Sequence, residues 1–166
     1  MKNQGKVFEE DFRKSLNLDN PDLFFYRFRD GTASWGDKNN PNIRFQQKNI
    51  SDCMIFYKNN LFIFELKSHK GKSLPLSCIR DNQFEEMNKA SYKKNVYPML
   101  IIFFSDIEEC YVIKMSDVIE FKAKNISKSI PLLFAREKGF KINSEKKLTH
   151  YRFFIEEFLE NFIKTN

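Results

Sequence analysis

No run of apolar residues in this chain approaches the ~20 that a membrane-spanning helix needs, and its opening stretch, MKNQGKVFEEDF, has no apolar signal-peptide core. A cytoplasmic protein without a membrane partner is the expectation. Cysteine is scarce: Cys53, Cys78 and Cys110 are odd in number, far apart and each set among apolar neighbours. That pattern has no zinc spacing and reads as reduced packing residues. There are no internal repeats and no interdomain linker, so the 166 residues read as one domain spanning 1–166, large enough for a hydrophobic core. Apolar residues at 42% and charged residues at 30% argue against a disordered chain, and the formal net charge of +6 suits a polyanionic partner without naming one.

The pattern of apolar residues predicts a helix over 6–18, with Phe8, Phe12 and Leu16 four apart on one stripe. A strand follows at 23–29, then a polar stretch at 30–50 rich in Gly, Asn and Asp. Residues 51–70 read as a hairpin, and Ser77 is placed to cap a helix running to about Asn95. The apolar run 97–104 has the pattern of a central strand, and 109–115 that of its neighbour. A short helix begins at Ser116, residues 124–150 look basic and irregular, and a final helix carries Tyr151, Phe154, Ile155, Phe158 and Phe162 on one stripe. The expected fold is α/β: a mixed central sheet flanked by helices, its core over about 5–120, followed by a basic segment and C-terminal helix at 121–166.

The hairpin poses the functional question, because Asp52, Glu65 and Lys67 stand where burial should be deepest. A two-residue turn at Asn59-Asn60 sets Asp52 opposite Lys67 and Met54 opposite Glu65, with all three charges on one face. Cross-strand neighbours lie ~5 Å apart at their β-carbons. An Asp52–Lys67 ion pair at a frayed sheet end explains two of the charges but not Glu65. Two carboxylates that close repel unless a proton or cation lies between them, and their oxygens suit Mg2+ or Mn2+. A lysine beside them can orient or deprotonate a metal-activated water, or offset charge growing on a phosphate. Helical spacing adds two more polar groups. Gln83 falls on the apolar stripe of Ile79, Met87 and Ala90, either as a buried amide bonded to backbone or as part of the site. Glu9 flanks the Phe8-Phe12-Leu16 stripe and can reach inward, whereas Glu10 points away.

Asp52 followed by a hairpin and Glu65-Leu66-Lys67 resembles the PD-(D/E)xK nuclease signature, with Ser51 in place of its proline. Over about residues 4–120, the Gly-x-x-apolar-Glu start, this hairpin and the LPLS…NQFEEM segment are similar to the RecU-type Holliday-junction resolvases of Gram-positive bacteria and their phages. The resemblance implies a restriction-endonuclease-like core, Mg2+ (or Mn2+) bound by Asp52, Glu65 and Gln83, transition-state support from Lys67, and Glu9 as an auxiliary acidic residue. It also implies a homodimer acting on branched or duplex DNA. The family's threonine two positions before the aspartate is Ile50 here, and residues 30–50 are too short for its full-length stalk.

In that interval Trp35, Arg44, Phe45 and Lys48 mix aromatic and basic groups suited to stacking on bases and pairing with phosphates; the plainer alternative tucks the aromatics onto the core. His69, Lys70 and Lys72, flanking Gly71, are expected to touch the DNA backbone. Two other functions stay open on the sequence: a restriction, repair or defence nuclease of the same fold, and a DNA-binding module without activity. The C-terminal aromatic stripe must be covered, either by its own sheet or by a second subunit.

Overall fold

The computed structural model describes residues 4–28, 49–124 and 127–165. In chain order these form α1 (Gln4–Lys14), β1 (Leu23–Arg27), β2 (Cys53–Tyr57), β3 (Asn60–His69), β4 (Ser73–Pro75), a 3-10 turn (Leu76–Cys78), α2 (Asp81–Ser91), β5 (Val96–Phe104), β6 (Glu109–Lys114), α3 (Met115–Ala123), β7 (Ser129–Pro131), α4 (Leu132–Lys138), β8 (Phe140–Ile142), β9 (Ser144–Lys147), β10 (His150–Phe153) and α5 (Ile155–Thr165). Six strands make the central sheet in the order β1-β2-β3-β5-β6-β8. The β3–β5 pair is parallel and the other pairs are antiparallel, so the sheet is mixed, as the sequence predicts.

β5 sits in the middle and is apolar on both faces because helices cover both. Met99, Ile101 and Phe103 pack toward α1, α5 and β10, whereas Leu100, Ile102 and Phe104 pack toward α2, α3 and α4. None of the helices among the described residues is long and apolar enough to cross a membrane.

Several boundaries differ from expectation. Ser77 lies in the 3-10 turn and caps nothing; α2 starts at Asp81, and its first-turn Gln83 accepts the Arg80 backbone N–H at 3.0 Å. α3 begins at Met115, one residue before Ser116. The largest difference is 124–150, which is not irregular: β7 pairs with β4, β8 completes the central sheet, and β9 pairs with β10. These strands have three or four residues each and many lysines, so their alternation is too short to read.

The C-terminal stripe also reads differently. Tyr151 belongs to β10, and α5 buries Ile155, Phe158, Leu159 and Phe162 against its own sheet. The Phe162 ring lies 5.7 Å from Phe62, 5.0 Å from Tyr97 and 5.4 Å from Phe140. Of the two ways to cover this stripe, the chain's own sheet is the one realised, and a subunit interface there is not. Across the same layer, the buried Asp11 of α1 is bonded to His150 Nδ1 at 2.6 Å and accepts the Tyr151 N–H at 2.9 Å, tying α1 to β10.

Candidate active site

The β2–β3 hairpin turns on Lys58-Asn59, with φ of 46° and 62°, the double positive φ of a type I′ turn. Tyr57 therefore pairs with Asn60 and Cys53 with Phe64, one residue off the expected turn. Met54 faces Ile63, not Glu65, and Asp52 does not face Lys67. Because moving the turn by one residue shifts pairing by two, the faces are unchanged, and Asp52, Glu65 and Lys67 remain on one side.

The regular ladder stops at Cys53–Phe64, and Asp52 takes over with its side chain. Its Oδ2 accepts the Leu66 N–H at 2.7 Å, where a strand would offer a backbone carbonyl, while its own N–H donates to Phe64 O at 3.2 Å. This clamp fixes the Asp52 carboxylate at the hairpin end. Glu65 is fully buried. One of its oxygens is bonded to the Lys67 ammonium and the other accepts the Gln83 amide N–H at 2.6 Å. Burial above all, and then the Asp52 charge, push the Glu65 carboxyl up to about 7, against the pull of Lys67 and Gln83. Burial disfavours the Lys67 ammonium, yet Glu65 and Asp52 outweigh it and its pKa is raised. Lys67 is thus a cation at neutral pH.

Gln83 comes to the site as expected, but with the other end of its amide. Its oxygen is taken by the Arg80 N–H and its nitrogen faces Glu65, so as placed it offers no ligand atom and instead orients the carboxylate. Glu9 approaches from the opposite layer, along the sheet end. It accepts from the Arg27 guanidinium at 2.6 Å and shares a small cleft with Arg27, Asp52, Cys53 and Leu66. The Cys53 thiol is pushed up by burial and then by Asp52, Glu65 and Glu9. Sequence reading missed Arg27, although β1 pairing sets it beside Cys53, next to Asp52. Ser51 is buried with its hydroxyl on Cys53 O at 3.2 Å, so it does not stand in for the threonine that Ile50 replaces.

His69 ends β3 two residues beyond Lys67, and Lys70 and Lys72 are exposed just after it. Gly71 has φ +83°, which requires glycine, and its N–H donates to Asp106 at 2.9 Å. Trp35, Arg44 and Lys48, and the stalk interval 30–50 up to residue 48, lie outside the described residues.

The raised Glu65 pKa has a testable consequence for the metal-free protein. The unfolded carboxyl ionises near 4.5 and the folded one near 7, so the fold favours the protonated form. Its contribution to stability is complete below pH 4.5 and is lost as pH rises through 7, by roughly 3 kcal/mol. Urea unfolding of wild type and Glu65→Gln at pH 5 to 8 in EDTA reads it as a difference between the two. The variant should gain on wild type as pH rises; a constant difference would contradict the geometry.

A mixed sheet whose inner hairpin ends in Asp…Glu-x-Lys, with a helix on each face, defines a PD-(D/E)xK nuclease core. A model of the family described as Recombination protein U matches residues 35–157, and the chain belongs to this family. It is 30% identical over 177 aligned positions to the SPbeta prophage-derived uncharacterized protein YotM of Bacillus subtilis (strain 168), covering 98% of this chain and 88% of that protein. It is 32% identical over 102 residues to the Holliday junction resolvase RecU of Lactococcus lactis subsp. cremoris (strain SK11), covering 60% of this chain and 47% of that one. Against the Holliday junction resolvase RecU of Streptococcus sanguinis (strain SK36) it is 30% identical over 104 residues, covering 61% and 52%. The chain spans about half the length of these two resolvases.

Proposed function

We propose that this chain is a metal-dependent, structure-selective DNA endonuclease that resolves four-way (Holliday) junctions in recombination. The observation that carries the reading is the fully buried Glu65, held beside Asp52 at a hairpin end and bonded to the Lys67 ammonium. Likeness to two Holliday junction resolvases supplies the substrate class.

The donor set fits a hard divalent cation. The carboxylate oxygens of Asp52 and Glu65 are of the kind that suits Mg2+, an ion bound through one or two carboxylates. Asp52 and Glu65 are the residues that would hold it. When bound, Mg2+ (or Mn2+) polarises the scissile phosphate and activates the attacking water. The rest belongs to the chain. The Leu66 N–H fixes Asp52, Gln83 and Lys67 fix the two oxygens of Glu65, and the Lys67 charge faces the negative charge that grows on the phosphate. The same group can also orient the attacking water. Glu9, steadied by Arg27, is the auxiliary acidic group at the edge of the cleft. A homodimer follows from the reaction, because opposed strands of a junction are nicked symmetrically.

Wild type presented with a labelled four-way junction and a linear duplex of the same arms should nick opposed junction strands in pairs and cut the duplex far more slowly. Equal cutting of both moves the chain to linear-DNA nucleases. Binding should also weaken steeply with salt. If Lys70 and Lys72 each neutralise a phosphate, replacing both with alanine lowers the log K against log salt slope by about 2. An unchanged slope removes them from the interface.

A further inference from the structure

The β9–β10 hairpin closes on a two-residue loop, Leu148-Thr149, held by the Lys147–His150 pair. Leu148 has φ +56° and is 95% exposed, more than any other large apolar side chain among the described residues. Loops of this kind ordinarily take Gly, Asn or Asp where φ is positive. A branched side chain there crowds its own backbone, and full exposure returns no burial to offset it. Leu148 thus sits in a disfavoured backbone conformation and adds nothing to the core, which leaves its side chain available for contact with a partner.

Its surroundings indicate what that contact is. Lys146, Lys147 and Arg152 stand on the two strands against one acid, Glu145, and all are exposed. Lys146 also pairs with Glu108. The prong is stiff. His150 and Tyr151 are held by Asp11, the Phe153 N–H donates to the Ser15 hydroxyl at 2.9 Å, and the Phe153 ring is buried 5.4 Å from Phe103. Beside the tip opens a cleft of about 360 Å3 whose lining includes Thr149, His150, Phe103 and Ser68. Ser68 and Lys67 are neighbours on β3 but face opposite sides of the sheet, so the cleft reaches the sheet end that carries the candidate active site from the other face.

We propose that Leu148 is a wedge that enters a base step of DNA next to the branch point, with Lys147 and Arg152 on the flanking phosphates. An apolar side chain between basic groups is the means by which many proteins unstack a base step. The neighbouring cleft has the partly exposed Tyr151 in its wall, an aromatic edge that a displaced base can meet. The inference rests on the reading of the chain as a junction nuclease and adds a residue that opens the substrate.

The test uses a four-way junction carrying 2-aminopurine beside the branch point, with wild type, Leu148→Gly and Leu148→Met. Glycine accepts the turn and removes no buried contact, so the variant folds. In EDTA, wild type should raise 2-aminopurine fluorescence on binding and Leu148→Gly should not. In Mg2+, Leu148→Gly should cut the junction about tenfold more slowly, and Leu148→Met should restore both signals. Wild-type fluorescence and cleavage in Leu148→Gly overturn the wedge, as does a shift from dimer to monomer on sedimentation, which would make the tip a contact between copies. If wild type brightens the junction but never cuts it, the nuclease reading fails and the wedge stands.

Discussion

Asp52→Asn, Glu65→Gln and Lys67→Ala should each slow junction cleavage by about a hundredfold to a thousandfold or more while leaving the fold intact. The fold survives for different reasons in each case. Asp52→Asn retains a side-chain oxygen for the Leu66 N–H, which Asp52 accepts at 2.7 Å. In Glu65→Gln the repulsion from Asp52 disappears, so metal-free stability holds or rises. In Lys67→Ala the buried Glu65 loses its counter-charge and takes up a proton instead of unfolding the hairpin. Circular dichroism separates a folded, inactive variant from an unfolded one. Cleavage by Glu65→Gln at the wild-type rate would remove the hairpin from the chemistry.

The second large effect is on stability. Phe162→Ala should cost about 3–5 kcal/mol, because the ring is almost wholly buried and packs on Phe62, Tyr97 and Phe140. Phe158→Glu should fail to fold, since it puts a carboxylate into the same layer without a partner. Urea unfolding of Phe162→Ala decides the matter. A loss under about 1 kcal/mol, with dissociation of a dimer, would return α5 to the role of an interface.

These two effects arise from different parts of the sequence, which were not equally legible. The cluster at the hairpin could be read because side-chain parity survives an error in the turn. Asp52, Glu65 and Lys67 stay on one face whether the loop is Asn59-Asn60 or Lys58-Asn59. The loop itself could not be read from residue preference. Asn60 tolerates positive φ as well as Asn59, but it is used as the first residue of β3, its amide donating to Lys58 O at 2.7 Å, and Lys58 takes the unusual φ. Gln83 was legible as an amide on an apolar stripe. Which end of it faces Glu65 depends on the Arg80 N–H, a backbone group with no signature in sequence. The aromatic stripe of α5 was plain, but its partner was not, because Phe140 lies on a three-residue strand too short to show alternation. Arg27 was hidden for a similar reason: its link to Glu9 joins two elements that only the pairing of β1 with β2 brings together.

Whether Asp52 and Glu65 work through a divalent cation on branched DNA is decided by the rate at which wild type cleaves a four-way junction in Mg2+, in Mn2+ and in EDTA. Cleavage is expected with either metal, none in EDTA, and recovery when Mg2+ is restored. Cleavage that continues undiminished in EDTA, or no cleavage of the junction with either metal, would contradict that role.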